Sequence, residues 1–171
     1  MPESASQVLY TPAQRARRDA TLWTLVQGVL APVQFLIFGI SLYLVINSLQ
    51  TGMHTDWALA SVVLKTVVLY AIMVTGAIWE KVVFGQYLFA PAFYWEDAVS
   101  MGVMALHTAY VCVWWLGTWR ATDQLLLALA AYGSYAINAA QYIRKLRMAR
   151  LQKTTVSETP SLPASGAQVS T

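Results

Sequence analysis

The sequence predicts an all-α integral membrane protein with four transmembrane helices, and three observations carry that prediction. Of the 171 residues, 57% are hydrophobic and only 11% are charged, whereas about a quarter are charged in a typical soluble domain. No Asp, Glu, Lys or Arg occurs between Asp19 and Asp56, a run far longer than the ~20 residues a helix needs to cross the hydrocarbon core. The stretch from Val26 to Ile46 does not alternate polar and apolar residues as a barrel strand would, so the spans are helices, which satisfy their own backbone polar groups within lipid.

The elements follow in order. Residues 1–21 form a basic segment with a short helix: Thr11 serves as N-cap, Pro12 takes the first helical position, and Gln14 completes a capping box. This start is polar and carries no signal-peptide pattern. The spans run from about Leu22 to Leu49, Trp57 to Trp79, Ala98 to Trp119 and Gln124 to Ile143. They make a transmembrane domain over 22–151. Residues 152–171, rich in Ser, Thr, Pro and Ala with little to bury, read as a disordered tail.

Charge placement orients the bundle. Arg15, Arg17 and Arg18 precede the first span, and Arg144, Lys145, Arg147, Arg150 and Lys153 follow the fourth. Lys81 lies in the connector between the second and third spans, while residues 50–56 contain neither Lys nor Arg and residues 120–123 contain one Arg. The positive-inside rule therefore places both termini and the long connector in the cytoplasm, an N-in/C-in multi-pass arrangement. The same charges suit anionic lipid, and no separate basic domain exists to bind nucleic acid. Cys112 is the single cysteine, which excludes an intramolecular disulfide and a cysteine metal cluster.

The connector from Trp79 to Asp97 holds three carboxylates (Glu80, Glu96, Asp97), Lys81 and seven aromatic rings. It is too apolar for a solvated loop and too charged for a span, so it reads as an interfacial or re-entrant lid. Partial desolvation favours the neutral form of such carboxylates. Equally, Glu80 would pair with a cation, and Glu96 with Asp97 would cap the next helix's positive end.

Polar residues inside the spans form patterns. Gln27, Gln34, Ser41 and Ser48 recur every seven residues on the first span and should hydrogen-bond to neighbouring helices. Lys65 should snorkel outward along its stem. Glu96, Ser100 and His107 share a face of the third span, and Tyr135, Asn138 and Tyr142 share one on the fourth. An intramembrane histidine is a functional candidate, although hydrogen bonding to Gln34 or Asn138 would also account for it. The fourth-span set is either the polar wall of a cavity or interhelical glue. No nucleotide fingerprint, Ser-His-Asp set or multi-histidine site is present, which leaves acid–base chemistry by Glu80, Glu96, Asp97 and His107.

The block from Val74 to Asp97 resembles the 3-vinyl bacteriochlorophyllide hydratase family. So do residues 9–12, 14–19, 23–28 and 106–110, and the similarity extends over 9–151. The resemblance implies a hydro-lyase of bacteriochlorophyll synthesis, acting on chlorophyllide a or a related bacteriochlorin and converting its 3-vinyl group to 1-hydroxyethyl. No cofactor is implied, since the magnesium belongs to the substrate. On that reading Glu80 with Glu96 or Asp97 forms the acid–base pair. His107 ligates the magnesium axially or holds the water. Phe84, Tyr87, Phe93, Tyr94 and Trp95 stack on the macrocycle, Tyr135 and Asn138 wall the site, and Lys81 or Arg18 takes the free propionate. Other enzymes of the pathway are plausible partners for so insoluble a substrate. The competing class is a non-enzymatic pigment carrier or assembly protein, which would need the rings and His107 but not the carboxylates.

Overall fold

The computed structural model describes residues 9–157. Their regular structure is helical throughout: α1 (Pro12–Ala20), α2 (Leu22–Thr51), α3 (Thr55–Phe84), α4 (Tyr94–Leu116) and α5 (Ala121–Ser157). The N-cap of α1 forms as its sequence predicts. The Thr11 side chain accepts from the Gln14 N–H at 3.2 Å, and the Gln14 side chain accepts from the Thr11 N–H at 2.8 Å. Thr21 then caps α2 with almost no intervening chain, so the basic helix leads directly into the apolar one.

Three helices, α2, α3 and α4, are long and apolar enough to cross a membrane. Helix α5 is longer still, but Gln124, Tyr132, Ser134, Tyr135, Asn138 and Gln141 dilute its apolar content. It continues to Ser157, so 152–157 extend the helix, and 158–171 lie outside the described residues.

The seven-residue stripe on α2 works mostly as interhelical hydrogen bonding. Gln27 donates to Thr75 at 2.7 Å, Ser41 meets Ser61 at 2.6 Å and Tyr132 at 2.5 Å, and Ser48 meets Thr55 at 3.0 Å. The bonds to Thr75, Ser61 and Thr55 zip α2 to α3 as an antiparallel hairpin, and the one to Tyr132 ties α2 to α5; α4 and α5 form a second hairpin. Between the hairpins Val45, Ala58, Val62, Tyr110, Leu125, Ala128 and Tyr132 make the main apolar core. Gln34 is the exception in the stripe: it is buried, yet its amide has no partner among the described residues.

The connector is shorter than the sequence suggests. Helix α3 runs past the apolar stretch to Phe84 and ends where Gly85 takes φ 91°, a conformation that glycine adopts without steric penalty. Helix α4 starts at Tyr94. Glu80 and Lys81 therefore belong to α3 and Glu96 and Asp97 to α4, and only residues 85–93 are non-helical. Tyr10, Val83 and Phe93, with Trp79, Phe84 and Tyr142 around them, form a second apolar cluster. It draws the N-terminal segment, the connector and the end of α5 to one end of the bundle.

Candidate active site

The site begins with a register effect. On α4 the buried positions are Asp97, Ser100, Val103, His107 and Tyr110, a face stepped by three and four. The sequence places Glu96 on that face; the structure gives the place to Asp97. One residue turns a helix by about 100°, and Glu96 is thereby swung to the side of the bundle, where it takes Lys145 at 2.6 Å.

Asp97 is 1% exposed and Glu80 5% exposed, and the two carboxyls are near enough to influence each other's protonation. Two consecutive backbone N–H groups of the connector brace the pair. Phe89 N donates to Asp97 Oδ2 at 2.7 Å and Ala90 N donates to Glu80 Oε2 at 3.3 Å. Phe89 holds φ 60°, an uncommon value for a non-glycine residue, so the connector contributes a small nest of N–H groups aimed at anionic oxygen. Tyr142 donates to Asp97 Oδ1 at 3.2 Å.

Both carboxyls stand just beyond the apolar stretches, Glu80 following Trp79 and Asp97 preceding Ala98. Burial, and then the charge of Asp97, push the Glu80 carboxyl well above the usual carboxylate range. Burial raises Asp97 as well, opposed by the bonds from Phe89 and Tyr142. Two buried carboxyls whose like charges oppose each other do not both ionise readily, so one of them holds a proton. The pair thus offers an acid and a base side by side.

The other candidates fall into groups. Phe84 and Phe93 turn inward beside Tyr10, Trp79 and Tyr142: Tyr10 stacks on Phe84 at 5.8 Å and Phe93 on Tyr142 at 6.1 Å. Tyr87, Tyr94 and Trp95 face outward with Phe89, and the Phe89–Tyr94 and Tyr94–Trp95 rings are 5.5 Å and 5.6 Å apart. Lys81 donates to the Gly85 carbonyl at 2.8 Å, closing the end of α3 rather than facing the pair. Arg18 pairs with Asp19 at 2.7 Å and lies 4.8 Å over the Tyr10 ring. Tyr135 and Asn138 are buried, the latter donating to Ser100 at 2.8 Å.

His107 is fully buried two turns or more from the pair, with Nδ1 2.8 Å from the Val103 carbonyl and no bond to Gln34 or Asn138. Lys65 does not snorkel: it is fully buried, with Nζ 3.5 Å over the Tyr135 ring. The stem is captured by the bundle because α5 presents an aromatic face where lipid was expected.

Sequence reasoning passed over Tyr142 and Tyr10 as site residues. For Tyr142 a signal existed, its shared face with Tyr135 and Asn138. For Tyr10 there was only an apolar residue just before a cap. The N–H groups of Phe89 and Ala90 leave no side-chain signature at all.

Three apolar helices of spanning length, with two buried carboxyls walled by aromatic rings at one end, describe a helical membrane protein with a polar site at the end of its bundle. A family model described as 2-vinyl bacteriochlorophyllide hydratase matches residues 10–148. The chain belongs to that family. It is 61% identical over 153 residues to the 2-vinyl bacteriochlorophyllide hydratase of Rhodobacter capsulatus, covering 88% of each chain. To the protein of the same name from Cereibacter sphaeroides it is 63% identical over 151 residues, covering 88% of this chain and 93% of that one. The vinyl carbon numbered 2 in these names is numbered 3 in the systematic numbering of the macrocycle. No solved structure matches the chain.

Proposed function

We propose that this chain hydrates the vinyl group of a chlorophyllide or bacteriochlorophyllide to a 1-hydroxyethyl group, a hydro-lyase step of bacteriochlorophyll synthesis, with Glu80 and Asp97 as the acid–base pair. The observation that carries the assignment of roles is the burial of these two carboxyls together under the consecutive Phe89 and Ala90 N–H groups in a member of this family.

The chemistry suits the pair. The protonated carboxyl gives its proton to the terminal vinyl carbon, and the cation left on the inner carbon is delocalised into the macrocycle. Water attacks that carbon while the ionised carboxyl takes one of its protons. The pair then again holds one proton and one negative charge, and no redox cofactor enters the balance. Positioned general acids and bases contribute roughly 10²–10⁴-fold each. The two N–H donors hold the ionised oxygen in place, and Tyr142 orients Asp97.

Macrocycle binding is assigned to the outward rings, Tyr87, Phe89, Tyr94 and Trp95. They adjoin the pair through Phe89 and offer flat apolar surface where lipid meets water. Arg18 and Lys81 are the candidates for the free propionate, Lys145 at the same end being paired with Glu96. The four-span, N-in/C-in arrangement puts the whole end at the cytoplasmic face.

The test is turnover of vinyl substrate by purified protein, followed by the loss of the vinyl absorption signature. Glu80→Gln and Asp97→Asn should each lower kcat by about 10²-fold or more, while Glu96→Gln should stay within a few-fold. Normal turnover in both of the first two variants would remove the pair from the mechanism. Retention of unchanged pigment by the wild type would favour a carrier.

A further inference from the structure

Among the described residues, each of the four long helices carries buried polar side chains with unpartnered atoms, and one from each lies in the middle of the bundle: Gln34, Lys65, His107 and Asn138. Gln34 on α2 is 2% exposed and bonds through neither amide atom. Lys65 on α3 is 0% exposed, its Nζ without a hydrogen-bond partner above Tyr135. His107 on α4 is 0% exposed, with its ring 5.9 Å from that of Tyr132. Asn138 on α5 spends Nδ2 on Ser100 and leaves Oδ1 without a partner. Phe35 and Phe38 close the layer from α2, their rings 6.1 Å and 4.9 Å from Tyr135.

Such groups are unfavourable in a bundle interior unless something bonds them, and apolar residues of similar size would pack there at least as well. The donor and acceptor inventory identifies what they bind. A carbonyl only accepts, so His107 Nδ1 carries the hydrogen toward Val103, and Nε2 presents a lone pair. Asn138 Oδ1 and Gln34 Oε1 also accept, which disfavours an anion. Lys65 Nζ and Gln34 Nε2 donate, which disfavours a cation. A small molecule that both donates and accepts fits all four.

We propose that this layer holds ordered water and supplies it to the carboxyl pair. The inference rests on the hydratase reading. Polar groups line the way from this layer to the pair, Asn138 donating to Ser100 and Tyr142 to Asp97, and water passing along them would reach the reacting carbon from inside the bundle while the macrocycle covers the outer side. The step consumes one water: its oxygen bonds to the inner vinyl carbon, one hydrogen stays as hydroxyl, and the other passes to the ionised carboxyl. The proton placed on the terminal carbon comes from the protonated carboxyl.

Radiolytic hydroxyl-radical labelling of the full-length protein tests this directly, because radicals form at bound water. Tyr135, and Tyr132 where it borders His107, should be oxidised several-fold faster than Tyr110, which is buried in the apolar core with its hydroxyl bonded to the Leu59 carbonyl at 3.0 Å. Gln34→Leu, Lys65→Met and His107→Leu should each abolish the excess labelling. Each should also lower kcat about tenfold or more, with the dissociation constant for vinyl substrate and the Tm unchanged; His107→Gln, which keeps an acceptor, should recover part of kcat. Wild-type labelling of Tyr132 and Tyr135 no faster than Tyr110 would overturn the water layer whatever the activity. Unchanged kcat in all three apolar variants would overturn its role in supply. Strong labelling in a wild-type protein that never hydrates the vinyl group would instead sink the hydratase reading and leave the water in place.

Discussion

The Glu80–Asp97 pair makes its chemistry depend on a single shared proton, and this fixes the pH behaviour. Below the lower of the pair's two apparent pKa values both carboxyls are protonated and no base remains. Above the higher value both are ionised and no acid remains. The kcat/KM profile should therefore be bell-shaped, and its two limbs belong to the pair rather than to either residue. Because burial and the Asp97 charge raise Glu80, the alkaline limb should lie well above the ordinary carboxylate range. Glu80→Gln should leave no such limb in whatever activity remains. Stability follows the same proton. The folded state retains it at pH values where the unfolded chain has released it, so stability falls as pH rises from the ordinary carboxylate range through the raised value. Thermal melts across pH should show that slope in the wild type and a shallower one in Glu80→Gln. Phe89 gives a second check on the residue scale. Phe89→Pro removes the N–H that Asp97 accepts and forbids φ 60°, and it should lower kcat. Phe89→Gly keeps both and should mainly raise KM through the lost ring.

Among the elements, the helices themselves were legible because their causes are local: an apolar run of spanning length, a Thr-Pro-x-Gln cap, a seven-residue polar stripe. Their ends were less so. Apolar content stops at Trp79, but a helix stops where its backbone is released, and here that is Gly85. The choice between Glu96 and Asp97 was not legible, since adjacent residues differ only by a rotation that α5 decides by packing Tyr142 against one and Lys145 against the other. The stripe on α2 separates two roles that spacing alone could not. Gln27→Leu removes one interhelical bond and should destabilise by roughly 0.6 kcal/mol, the average for such bonds in a bundle, and Ser41→Ala removes two and should cost about twice that, with hydration retained. Equilibrium unfolding in mixed micelles would measure this. A loss of kcat at constant stability in either variant would mean that the bonded members of the stripe also serve the site.

At the scale of the whole molecule, the site is assembled at one end because every segment reaching that end is held by the Tyr10–Val83–Phe93 cluster. That clustering requires α3 and α4 to return to the same side, and α5 to bring Tyr142 and Lys145 there from the opposite end of the bundle. If α2, α3 and α4 each cross the bilayer, α5 must cross as well to reach Asp97, even though its polar inner face weakens its apolar signal. Outward-facing Leu126 and Ile137 on α5, like Leu36 and Val67 on the first hairpin, leave it suited to lipid. Single cysteines in a Cys112→Ser background would decide the matter. Met53→Cys and Trp119→Cys, at the two far turns, should react with a membrane-impermeant maleimide added to spheroplasts. Arg15→Cys and Arg144→Cys should react only after lysis. Labelling of Arg144→Cys from the same side as Trp119→Cys would mean that α5 does not cross, and the carboxyl pair would then lose the Tyr142 contact on which its orientation depends.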